Sequence, residues 1–252
     1  MTSASSPLPL LYRDPWLVAI NKPAGLLVHR SPIDRHETRF ALQLLRDQLG
    51  QRVFPLHRLD KPTSGVLLFA LTPEVARLGG EAFYQQQVEK TYLALVRGYG
   101  PQEQLIDHPL REEDLPPGAQ ESPAQEAQTR VRCLARVELP VAVDKYPQSR
   151  YSLMECHPLT GRRHQIRRHL KHISHPIIGD AKHGKGAHNR YFQQAYGAGR
   201  LLLAATRIQL SHPVHGEPLC IDAPLDEVFS RLIRQFGWTQ AVPHSWLYTE
   251  EK

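Results

Sequence analysis

The sequence predicts an α+β fold, with helices packed around a central, mixed and largely antiparallel sheet. Three observations carry this expectation. Stretches of strand length that read as strands recur at residues 66–71, 90–96, 129–137, 150–156, 201–210 and 219–223. Helix-period stretches lie among them, but strands and helices do not alternate in the regular βαβ order that builds a parallel sheet. No internal repeat or heptad pattern points to another architecture.

Residues 16–20 and 26–29 read as short strands joined by a turn that Pro23 and Gly25 supply. Phe40 to Leu49 is predicted as a helix stopped by Gly50. Val66 to Leu71 forms an apolar strand after the turn residues Thr63, Ser64 and Gly65. Thr72 then precedes Pro73, which suits a first helical position because its missing N–H has no helical partner there. Val75, Leu78 and Phe83 carry that helix toward Gln87. From Lys90 to Val96, apolar residues occupy both alternating sets, as an interior strand requires.

Residues 112–127 combine Glu112, Glu113, Asp114, Glu121 and Glu126 with Pro116, Pro117, Gly118 and Pro123. This composition opposes helix and strand alike, so an exposed loop is expected. Strands resume at Thr129 to Val137 and Arg150 to Cys156. Ile166, Leu170 and Ile173 recur at i, i+4 and i+7, which predicts a helix burying that stripe and placing Arg163, Arg167 and Lys171 together on another face. After strands at Leu201 to Leu210 and Leu219 to Ala223, Val228, Phe229, Leu232, Ile233 and Phe236 mark a terminal helix closed by Gly237.

A chain of 252 residues can bury about 75% of its unfolded surface, so a single domain over residues 1–252 is the simplest expectation. Cys133, Cys156 and Cys220 form no close pair and signal neither a disulfide framework nor a cysteine zinc site. A reducing cytoplasmic setting fits. Met1 to Leu11 lacks the basic and apolar regions of a signal peptide. The longest apolar run is far too short to span a bilayer, so no membrane role is expected. No obligate protein partner is evident.

Net charge is +6, but its distribution is more informative than its sum. Between Cys156 and Arg190, eight cations (Arg162, Arg163, Arg167, Arg168, Lys171, Lys182, Lys185 and Arg190) face one acid, Asp180, for a local charge of +7. The rest of the chain therefore sums to about −1, and the basicity is concentrated where a polyanion could dock.

The residues with the clearest chemical pattern are His57-Arg58-Leu59-Asp60-Lys61-Pro62-Thr63-Ser64-Gly65. Pro62 pushes Lys61 out of helical geometry, and Arg58 and Lys61 flank the Asp60 carboxylate and favour its ionised form. Such an acid serves as a nucleophile or base, or it simply salt-bridges its neighbours.

This stretch resembles the active-site motif of the RluA-type RNA pseudouridine synthases. Asn21-Lys22-Pro23-Ala24-Gly25-Leu26-Leu27-Val28-His29 is similar to the family's N-terminal motif, and Lys90-Thr91-Tyr92-Leu93-Ala94-Leu95-Val96 to its Lys-x-Tyr-x-Ala-x-Val strand. Thr160-Gly161-Arg162-Arg163-His164-Gln165-Ile166-Arg167 and His175-Pro176-Ile177-Ile178-Gly179-Asp180 follow in family order. The resemblance implies the pseudouridine synthase fold with an RNA-binding cleft. It leaves no room for the S4-type domain that many members carry ahead of it.

The implied reaction breaks the N-glycosidic bond of a uridine, turns the uracil in place and rejoins it through carbon. No redox change occurs, so neither a cofactor nor a metal is expected. The nucleotide has to leave its stack, at a cost of a few kcal/mol. By resemblance, Asp60 is the essential carboxylate, and the sequence does not choose among attack on the sugar, abstraction of a sugar proton and addition to the base. Tyr92 matches the tyrosine that packs against the target base, and Arg167 the arginine that pairs with the aspartate. Arg58 matches a residue that enters the RNA at the vacated position, a role open to a guanidinium because its plane stacks and its edge binds phosphate. A plain Arg58–Asp60 ion pair is the competing reading. Where many relatives read Arg-Leu-x-Leu-His-Ala, this chain reads Arg200-Leu201-Leu202-Leu203-Ala204-Ala205, with Leu203 a candidate for the wall of the base pocket.

Rival readings rest on fewer residues. His164, His169, His172 and His175 crowd one segment, but helical spacing spreads them rather than gathering a metal hydrolase's ligands. A glycosidase needs two carboxylates, and only Asp60 sits in such a motif. A non-catalytic RNA binder on the same scaffold would keep RNA affinity and no activity. Outside the shared motifs, the run Leu27 to Ser31, the segment Glu138 to Ala142 and the stretch Lys182 to Arg190 resemble family members that modify transfer RNA, which implies uridine 65 of the T stem. Large-subunit ribosomal RNA is the alternative substrate. Arg163, Arg168, Lys182 and Lys185 are expected to contact phosphates.

Overall fold

The computed structural model describes residues 7–30, 36–113 and 123–249. In chain order the elements begin with β1 (Leu10–Arg13), β2 (Leu17–Lys22), α1 (Ala41–Leu49), β3 (Phe54–Pro55), β4 (Ser64–Ala70), α2 (Pro73–Tyr84) and β5 (Glu89–Arg97). They continue with β6 (Glu103–Asp107), β7 (Gln128–Leu139), β8 (Ser149–Pro158), α3 (Gln165–His172), α4 (Gly186–Tyr196), β9 (Leu203–Ser211), β10 (Pro218–Asp222) and α5 (Glu227–Gln235). These elements fall into two compact units. One is drawn from Met1–Glu89, Ala205–Asp226 and Ser245–Lys252, the other from Lys90–Ala204 and Glu227–His244.

In the first unit β2 and β4 pair antiparallel, from Leu17 opposite Ala70 to Lys22 opposite Gly65. Every residue of β4 is buried, as its unbroken apolar run predicts. β1 lies on the other side of β2, β3 on β4, and β10 on β9. Leu17, Ala19, Val66, Leu68, Val75, Ile208 and Ile221 share one core cluster, and each large aliphatic side chain there contributes about 1.5–3 kcal/mol by leaving water.

Thr72 caps α2 by accepting the Val75 N–H, with Pro73 in the first turn as expected. The face that α2 buries runs through Val75 and Gly79 rather than Leu78, which is exposed. The cause is close approach: a Cβ on Gly79 would lie 2.7 Å from a Leu56 methyl.

Residues 26–29 do not form the predicted strand. Phe40, the N-cap of α1, offers no capping side chain. The first helical N–H groups, those of Ala41 and Leu42, instead donate to the carbonyls of Leu27 and Val28 at 2.8 and 3.0 Å. The apolar run thus serves helix donors that would otherwise lack partners.

In the second unit β6, β7, β8 and β5 form successive antiparallel ladders. β7 carries a register shift between Cys133 and Ala135. α4 was not legible in the sequence, because its buried positions are only His188 and Phe192. Phe192 meets Tyr151, Tyr196 and Phe236 at ring separations of 4.8, 5.1 and 6.2 Å. α5 buries Phe229, Leu232 and Ile233, and Gly237 follows with φ +71°. β6 also escaped prediction, since only Ile106 of its five residues is buried.

The expected loop at 112–127 falls largely at residues 114–122, outside the described residues. On its flanks, Leu110 and Gln125 exchange two backbone hydrogen bonds of 2.8 and 3.0 Å. The shared face expected for Arg163, Arg167 and Lys171 is corrected by the structure. Arg163 precedes the helix, whose N-cap His164 is left-handed (φ +53°); Arg167 is buried and Lys171 exposed.

Candidate active site

Asp60 belongs to the first unit and sits on a loop held from beneath by a buried cation. Lys22 has no exposed surface, and its ammonium donates to the carbonyls of Pro23, Leu26 and Lys61 at 2.9, 2.8 and 3.2 Å. A buried charge without partners costs several kcal/mol, so these three acceptors are a condition of the fold. The Gly25 N–H also donates to Lys61 O at 2.8 Å, from a backbone with φ +86°. The Asn21–Gly25 motif therefore positions the Asp60 motif.

His57 fixes the other end of the loop. Its Nε2 accepts the Leu68 N–H at 3.1 Å, and its ring stacks on Phe83 with centroids 5.0 Å apart. Leu59 is buried between an exposed Arg58 and a partly exposed Asp60. Asp60 O accepts the Thr63 N–H at 3.0 Å, closing the turn. The Lys61 ammonium is 2.8 Å from Glu37 and makes an ion pair with it. Gly65 ends the motif at φ +113°, and a Cβ there would lie 2.0 Å from the Ala205 carbonyl oxygen.

Tyr92, Arg167 and Leu203 belong to the second unit. Tyr92 lies on β5 opposite Cys156 and is buried. Arg167 makes a two-pronged pair with Asp180, Nε to Oδ2 at 2.7 Å and Nη2 to Oδ1 at 2.9 Å. Asp180 Oδ1 also accepts the Lys182 and His183 N–H groups at 3.0 and 2.9 Å. Burial raises the Asp180 pKa, but the Arg167 and His183 bonds outweigh it and hold the carboxyl below its ordinary range. Asn189 locks this turn, accepting from Gly179 N and donating to Asp180 O at 2.8 and 2.9 Å.

Gln165 anchors the start of α3. Its Oε1 accepts from Thr160 Oγ1 and Arg162 N, while its Nε2 donates to Gln128 O and Thr129 Oγ1. Leu203 and Ala204 are buried at the start of β9, and Arg200 Nη2 donates to Leu203 O at 3.1 Å. Burial lowers the Arg200 pKa to about 10.

Glu113 gathers three of the four expected phosphate-binding residues. Its Oε2 is 2.9 Å from Lys182 Nζ, its Oε1 is 3.4 Å from Arg168 Nε, and its backbone oxygen accepts from Arg163 Nη1 at 3.2 Å. Burial raises the Glu113 pKa, and Lys182, His183 and Arg168 together pull it below the ordinary value. Lys185 is exposed at the N-cap of α4.

The histidines of this segment take separate tasks. His169 places Nδ1 on Thr129 Oγ1 and Nε2 on His108 O, at 2.9 and 3.0 Å. His172 stacks on His108 at 3.8 Å, and His175 Nδ1 lies 3.0 Å from Arg97 O. His164 faces Glu113 and His183. Sequence reasoning passed over Lys22, Glu113, Asp180, His183 and Asn189 as interaction centres. One signal was available: Asp180 is the single acid among eight cations.

The chain is similar to known proteins over most of its length. The chain is 51% identical over 240 residues to tRNA pseudouridine synthase C of Vibrio cholerae serotype O1, covering 93% of this chain and 98% of that one. It is 51% identical over 234 residues to the protein of the same name from Haemophilus ducreyi, covering 92% and 96% of the two chains. The structure of human RNA pseudouridylate synthase domain containing 4 superposes with a TM-score of 0.69 at 26% identity, covering 91% of this chain and 93% of that one. These ten strands and five helices are thus an α+β pseudouridine synthase fold. Residues 16–172, which include Asp60, Tyr92 and Arg167, match the family model described as RNA pseudouridylate synthase, and the chain belongs to that family.

Proposed function

We propose that this protein isomerises a uridine of transfer RNA to pseudouridine, with Asp60 as the essential carboxylate and uridine 65 as its target. The supporting observation is similarity along nearly the whole length of chains named tRNA pseudouridine synthase C, at about half identity. Asp60 lies on a partly exposed loop whose backbone is tied, at the neighbouring Lys61 carbonyl, to a buried lysine, so the main chain that carries the carboxylate is held in place. Such fixed placement is the property an essential carboxylate requires.

In this reading Tyr92 packs against the uracil, Arg167 supplies the guanidinium of the reaction centre and Leu203 lines the base pocket. Arg58 enters the RNA at the position the target vacates. Arg163, Arg168, Lys182 and Lys185 hold phosphates. Among the described residues no helix is long and apolar enough to cross a membrane, and the proposed setting is the cytoplasm.

The test has two arms. Asp60→Ala is expected to retain tRNA affinity and to form no pseudouridine, whereas residual activity above background removes Asp60 from its role. Chemical mapping of pseudouridine in tRNA and ribosomal RNA, from cells with and without the gene, is expected to show a loss at tRNA position 65. A loss confined to ribosomal RNA overturns the substrate assignment.

A further inference from the structure

We propose that Glu113, His164 and His183 form a binding site for a divalent transition-metal ion, with Zn²⁺ as the best match. The three donor atoms come from distant points of the second unit and converge. His183 Nε2 is 3.2 Å from His164 Nδ1 and 3.5 Å from Glu113 Oε2, and His164 Nδ1 is 3.4 Å from the same oxygen. These residues are the one group among the described residues whose ligand atoms lie close enough to hold an ion.

The separations fit one coordination face. Zinc–ligand bonds of about 2.0–2.1 Å in a tetrahedron place the ligand atoms about 3.3–3.4 Å apart. The three distances bracket that edge, so one ion can sit at bonding distance from all three. A charge-assisted N–H···O bond would draw a histidine to about 2.7–2.9 Å from the carboxylate, and the two histidine–Glu113 contacts are longer. The Lys182–Glu113 contact, at 2.9 Å, does have that length. Lys182 then acts on the carboxylate as an outer partner that orients a ligand.

The surroundings narrow the choice of ion. Lys182 and Arg168 both bind the Glu113 carboxylate, so a cation enters against their charge. Mg²⁺ and Ca²⁺ prefer oxygen ligands and gain little from two imidazoles, whereas Zn²⁺ takes histidine nitrogen readily. His183 is buried, and its backbone N–H is pinned to Asp180 Oδ1, which anchors the main chain that carries the ring. Three protein ligands leave a fourth position for water.

The experiment uses untagged, metal-stripped protein titrated with Zn²⁺ by calorimetry and with Co²⁺ by visible absorption. One ion per chain is expected, with the intense absorption of tetrahedral Co²⁺. His183→Ala and Glu113→Gln are each expected to weaken Zn²⁺ binding at least tenfold, and Zn²⁺ should raise the melting temperature of the wild type more than that of either variant. Mg²⁺ should not compete. Absence of binding overturns the site, as does binding that both variants retain or a Co²⁺ spectrum typical of six oxygen ligands.

Discussion

Asp180→Ala removes an anion paired with a buried guanidinium, and the structure indicates the size of the effect. The Arg167 and Asp180 side chains are 6% and 0% exposed, so solvent does little to screen the pair. An exposed ion pair contributes about 0–1 kcal/mol, whereas breaking a buried one by removing one side costs about 3–5 kcal/mol because the desolvated charge loses the attraction that offset its burial. Two backbone N–H groups, those of Lys182 and His183, lose their acceptor in the same substitution. A loss of about 3–5 kcal/mol is therefore expected, on the order of a hundredfold to a few thousandfold in the folded-to-unfolded ratio. Urea unfolding followed by circular dichroism measures it, with a lower midpoint and an unchanged slope. A loss below about 1 kcal/mol would refute the argument that burial makes this pair structural.

Acid dependence tests the same pair with a definite sign. The folded-state pKa of Asp180 is lowered, so between that value and the unfolded one, near 3.9, the unfolded chain binds more protons and stability rises with pH. The contribution is complete above the unfolded value and disappears as pH falls through the folded one. The stability gap between wild type and Asp180→Asn is expected to narrow below about pH 4, and a constant gap would contradict the assignment.

Gly65→Ala combines a left-handed backbone with a Cβ placed 2.0 Å from Ala205 O. A loss of more than about 2 kcal/mol is expected in thermal or urea unfolding, and a neutral effect would show that the β4 end is not close-packed. Replacing Arg163, Arg168, Lys182 and Lys185 by glutamine in pairs is expected to reduce the slope of log affinity for tRNA against log salt by about 1.4–1.8 per pair. An unchanged slope in filter binding would show that this basic face does not carry the phosphate contacts.

Much of the architecture was legible because it is written locally. β4, β5, β7 and β8 follow from runs of apolar or alternating residues, α2 from Thr72-Pro73 and α5 from its apolar stripe closed by Gly237. The family resemblance rests on short motifs whose order is equally visible, and the family comparison bears it out. Periodicity failed where burial rests on few or polar side chains, as in α4 and β6, and where an apolar run at 26–29 serves as a helix cap.

Partner choice stood on different ground. Lys22 meets the carbonyl of Lys61, Glu113 meets His164 and His183, and Arg167 meets Asp180, across separations of 39, 51, 70 and 13 residues. A sequence pattern reports that a side chain leaves water, because that depends on its own polarity and its neighbours in the chain. Which charge, carbonyl or imidazole it then faces depends on how distant segments are brought together, and only the folded chain decides that.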